Sequence, residues 1–140
     1  MTSPDTDRIA YDFAVLRAVP HVHLGAFVPV GVLVHARTTG YLGMRVLSDP
    51  DELAARVPDA DHELLARYLR SHCAVAAGDA AAGPVGLAPP SERFHWLTAP
   101  RSDVLQSSPV HAGLAIDPAR ALEALFAEYV LGRVSQAPKQ

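Results

Sequence analysis

The chain has a single cysteine, Cys73, and therefore no internal disulfide. Its N-terminal stretch MTSPDTDRIA lacks the basic n-region and apolar h-region of a signal peptide. Together with the lone thiol, this leads to the expectation of a cytoplasmic protein. Long apolar runs are also missing. The longest, residues 25–34, falls well short of the roughly 20 residues that cross a bilayer and is broken by Pro29 and two glycines, so no membrane segment is expected. Charge of one sign is scarce: 12 Lys and Arg against 15 Asp and Glu leave a net −3, which gives no attraction to nucleic acid. No glycine stands in a phosphate-loop or dinucleotide frame, and no cofactor is expected.

What is present suffices for one hydrophobic core. Of 140 residues, 49% are apolar and 19% charged, which suits a single folded domain rather than a disordered chain. Alternation of Ile9, Tyr11, Phe13, Val15 and Val19 predicts a strand over residues 9–19 after an N-terminal tail at 1–8. Residues 27–37 are apolar at both parities, as in a strand buried on two faces, and Thr38, Thr39 and Gly40 turn the chain into a third strand over 41–47. Asp49, Pro50 and Glu52 carry the signature of a helix start, with Pro58 as its stop. A second helix, starting at Asp59 or Asp61, runs through Leu65, Leu69, His72, Cys73 and Ala76 to a stop at Gly78.

Residues 77–90, mostly Ala, Gly and Pro, read as a flexible connection inside the domain. Two further short strands are expected, one at 94–99 and one at 104–106 with 110–115, and Pro109 points to an edge strand or a bulge. Asp117 and Pro118 start a last helix through Leu122, Leu125, Phe126 and Tyr129, closed by Gly132, and residues 133–140 read as a frayed tail. The expected domain, 9–132, is α+β in the order β-β-β-α-β-β-α. It has a mainly antiparallel sheet of about five strands with two or three helices packed on it.

Chemistry-bearing residues are sparse outside one segment. His21 and His23 could share one side of an extended backbone, with His35 or His111 as further ligands, but no carboxylate or thiolate completes a zinc set and no metal is expected. Cys73 falls on the inward stripe of its helix, where apolar surroundings keep a thiol inert. Residues 93–113, RFHWLTAPRSDVLQSSPVHAG, differ by concentrating Arg93, His95, Trp96, Arg101, Ser102, Ser108 and His111. Arginines and hydroxyls are the donors of carboxylate and phosphate sites, and histidine moves protons near neutrality. The same residue types cap turns and stack on aromatic rings, so a structural use competes with the functional one.

The pieces YDFAVLRAVP, GAFVPVGVLVHARTTGYLGMRV and ERFHWLTAPRSDVLQSSPVHAGLAIDPARALEALF resemble, in that order, a bacterial family known as domain of unknown function 3037. The resemblance runs from about residue 11 to about residue 130. Arg93, Phe94, Leu97, Arg101, Ser102, Ser108, Pro109, His111 and Gly113 match the family pattern. Ala26 and Pro29 depart from it, standing where the pattern G-E-F-x-N-V-G-V has an acid and an amide. The resemblance implies a protein partner, a small HipA-like kinase encoded nearby. Two functional readings follow: an accessory module that binds a protein through 93–113 and an adjoining sheet edge, or an enzyme or ligand site for an anionic substrate. In the second, Arg93 and Arg101 would hold the anion and His95 or His111 would move a proton. Self-association through the sheet is a third expectation.

Overall fold

A computed structural model describes residues 7–20, 27–101 and 103–132. Five strands form one antiparallel sheet: β1 (Ile9–Ala18), β2 (Val28–Ala36), β3 (Tyr41–Val46), β4 (Leu105–Ser107) and β5 (His111–Ala115). The order across the sheet is β3-β2-β1, and β4 and β5 lie end to end along the outer side of β1. Among the described residues there are also four α-helices: α1 (Pro50–Arg56), α2 (His62–Ala76), α3 (Pro90–Thr98) and α4 (Pro118–Tyr129). The class is α+β, as expected.

The local signals work through hydrogen bonds to free backbone N–H groups. Asp49 caps α1 by accepting from Asp51 N–H, Asp61 caps α2 through Leu64 N–H, and Asp117 caps α4 through Ala119 N–H. Between β2 and β3, the turn closes on Gly40, whose φ of 69° lies in the left-handed region that glycine enters without steric cost.

Both faces of β2 are covered, which explains its two apolar parities. Val34 pairs with Gly43 and Val32 with Arg45, and this face meets α4, where Leu122 lies against Gly43 and the Phe126 ring lies under Arg45. Arg45 also forms an ion pair with Glu123 of α4. The other face carries Leu33 and His35 and meets α2 and α3. His35 is buried there and stacks on Phe94, with ring centroids 5.1 Å apart.

One expected element is corrected. Residues 94–98 are not a strand but the second half of α3, with Ala99 as its C-cap, so the order among the described residues is β-β-β-α-α-α-β-β-α, with four α-helices where two or three were expected. Phe94, Trp96 and Thr98 alternate, which is compatible with a strand over so short a window. Pro90 instead stands in the first helical turn, and Phe94 and Leu97, three apart, are the two buried residues. Residues 77–90 hold two turns of 3-10 helix, Ala80–Ala82 and Pro84–Leu87.

Pro109 lies at both features it suggested, an edge and a bulge. Phe13 pairs with His111 and Leu16 with Ser107, so two residues of β1 face residues 108–110, three on the outer strand. At this bulge Ser108 fills in for the lost ladder. Its N–H donates to Val15 O (2.8 Å) and its Oγ accepts from Val15 N–H (2.9 Å).

Candidate functional site

The buried side of α3, Phe94 and Leu97, fixes the helix on the sheet, so the intervening residues are turned away from it. Arg93 is aimed at α2. Its Nη1 donates to Val75 O (3.2 Å) and Ala76 O (2.8 Å), and its Nε donates to Ala88 O (2.9 Å). The last carbonyls of a helix have no partner within it and carry its partial negative charge, so a guanidinium fork is well matched to them. Arg93 therefore clamps α3 and the preceding 3-10 turn to the end of α2.

Trp96 and Arg101 form a second unit. The Arg101 guanidinium lies 4.3 Å over the Trp96 ring and donates from Nη2 to Trp96 O at 2.9 Å. Inside them is His72 of α2, buried, its ring 5.7 Å from that of Trp96 and its Nδ1 3.0 Å from Tyr68 O. Burial lowers the His72 pKa and the nearby Arg101 pushes it the same way, so the ring packs as neutral imidazole. Trp96 nevertheless keeps 36% of its surface exposed. With His95, Val85, Ala88, Glu92 and Ala99 it lines a shallow groove of about 630 Å³ beside the short helix Pro84–Leu87, and the exposed Leu87 extends from that helix.

The remaining sequence candidates lie elsewhere. Ser108 is buried in the bulge, with its hydroxyl donating to Pro109 O. His111 is paired with Phe13 and its ring is 5.4 Å from that of Phe13, on the α4 side of the sheet. Ser102 lies outside the described residues, as do His21, His23, Ala26 and the tails 1–6 and 133–140. Of the seven candidates, His95, Trp96 and Arg101 come together on one surface. Arg93 and Ser108 bond to backbone. The groove that His95 lines includes neither arginine nor His111.

Cys73 lies part-buried against Met44, its Sγ 3.9 Å from the thioether sulfur, and burial raises its pKa. Among the described residues no group of three or more His, Cys, Asp or Glu is placed to hold a metal ion, and no helix is long and apolar enough to cross a membrane.

Sequence reasoning missed His72 and the residues of 77–90 that wall the groove. His72 has no neighbour in the sequence that marks it, because its partner Trp96 comes from another helix. The aliphatic Val85 and Leu87 inside an Ala, Gly and Pro segment are the local sign that this stretch does more than connect.

The family described as Protein of unknown function (DUF3037) matches this chain over residues 13–130. No curated protein and no solved structure matches it.

Proposed function

This chain belongs to the DUF3037 family of proteins of unknown function, and we propose that it serves as a non-catalytic accessory module that binds another protein through the Trp96 surface. The observation behind this reading is the Arg101–Trp96 stack beside an apolar groove. Tryptophan and arginine are the side chains that most often carry binding energy at protein interfaces, and those energies concentrate where an aromatic ring meets a pocket. Arg101 is held by both the ring and the Trp96 carbonyl, so little side-chain freedom remains to be lost on association. The family resemblance makes a small HipA-like kinase encoded nearby the partner to try first.

Co-expression with that neighbour followed by size-exclusion chromatography tests the reading. A complex is expected, and Trp96→Ala should weaken it by about 2 kcal/mol, ~30-fold, with Arg101→Ala close behind. Trp96 is the only tryptophan in the chain, so its emission reports occupancy of the groove directly. Separate elution at about 10 µM, or a complex indifferent to both substitutions, would sink the proposal.

A further inference from the structure

Among the described residues the outer edge of β5 is open, and the strand itself carries no charged side chain. β5 pairs only with β1, and its other side has no partner among the described strands. Exposed edges are normally protected by charge, proline or bulges, since they offer free N–H and C=O groups to any other strand. β3, at the far edge of the sheet, follows that rule by carrying Arg45. Along the outer strand, Pro109 and the bulge protect only its start. From Val110 to Ile116 the residues are V-H-A-G-L-A-I, with no Asp, Glu, Lys or Arg. Val110, Leu114 and Ile116 are 47%, 57% and 72% exposed. Ala112 and Leu114 line an open cleft with Ala10 and Asp12 of β1, on the sheet face that α2 and α3 cover elsewhere, and the charged groups there, Arg8, Asp12 and Arg37, come from outside β5.

We propose that β5 pairs with β5 of a second copy of this chain, antiparallel about a two-fold axis at Gly113, joining the two sheets into one. The order of residues around Gly113 favours this register. Ala112 of one copy faces Leu114 of the other, Val110 faces Ile116, and His111 faces Ala115, so each larger apolar group meets a smaller or similar one on the same face. No like charges meet across the seam. The self-facing position is a glycine for a reason internal to the fold as well: a Cβ there would come within 2.5 Å of the Tyr11 ring. A two-fold contact of this kind closes on itself, hiding both unprotected edges and leaving the Arg45-bearing strands outermost. This pairing does not depend on the Trp96 reading, since it uses neither α3 nor the groove.

Sedimentation equilibrium of the full chain tests it. The wild type should run as a dimer at about 100 µM. Ala112→Lys/Leu114→Lys places lysine opposite lysine twice in the stated register and should raise the dissociation constant at least ~100-fold. Both positions are exposed, and unchanged far-ultraviolet circular dichroism would show that the fold survives. Ala112→Glu/Leu114→Lys places opposite charges there instead and should restore the dimer. A monomeric wild type, a dimer that survives the double lysine variant, or no recovery in the charge-paired variant each overturns the proposal.

Discussion

β4 and β5 are two halves of one outer strand on β1, and they differ in what lies over them. β4 is under α2 and α3, and its Leu105 is 1% exposed, whereas β5 has no helix on that face among the described residues and its Leu114 stands open. Both are short segments bonded antiparallel to the same neighbour, and each carries one leucine. Coverage by helices, which local composition does not encode, makes one half core and the other surface. The bulge at residues 108–110 is the joint between them.

Removing an anchoring side chain from each half should give the sharpest contrast. Leu105→Ala leaves a cavity beneath two helices and should lower the unfolding free energy by about 2–5 kcal/mol. Leu114→Ala should change the stability of the dilute monomer by no more than about 0.5 kcal/mol. Urea denaturation of both variants decides this, and equal losses would break the comparison.

The joint itself should matter at an intermediate level. Ser108→Ala leaves Val15 N–H buried without its acceptor and should cost about 1–3 kcal/mol by the same measurement. Ser108→Thr keeps the hydroxyl and should recover part of that loss. If alanine is as stable as serine there, Pro109 alone accounts for the bulge.

The smallest effect concerns pH and belongs to the covered side. Burial holds both His35 and His72 below their ordinary value of 6.5. The folded chain then binds these protons more weakly than the unfolded chain. Their contribution is fully present above about pH 6.5 and is lost as pH falls through the lowered folded values. His72→Phe should flatten the stability profile in that window, as followed by thermal denaturation from pH 7.5 to about 5. An unchanged slope would show that His72 titrates as it does in the unfolded chain.

Much of the fold was legible because its signals are local. Asp49, Asp61 and Asp117 bond to N–H groups two or three residues away, so their residue types identify helix starts wherever the chain goes. The doubled parity of β2 likewise identified a strand with two covered faces. The site was less legible. Alternating Phe94, Trp96 and Thr98 fit a strand as well as a helix over so short a window, and the helix prevailed because Phe94 and Leu97 could both be buried only with helical spacing. Arg93, Arg101 and Ser108 looked alike as polar residues in a dense segment. One clamps a helix end, one stacks on the tryptophan and one repairs a bulge.

The amino-acid sequence by itself determined the class of fold, three of the helix starts, the strand break at Pro109 and the stretch where polar and aromatic side chains concentrate. These depend on backbone chemistry and on periodicity within one element. Only the tertiary structure decided that α3 is a helix, that His72 lies beneath Trp96, and that β4 is covered while β5 is open. Each of those outcomes depends on a contact between residues distant in the chain. Whether such a contact forms depends on the packing of whole elements, which no short stretch of sequence specifies.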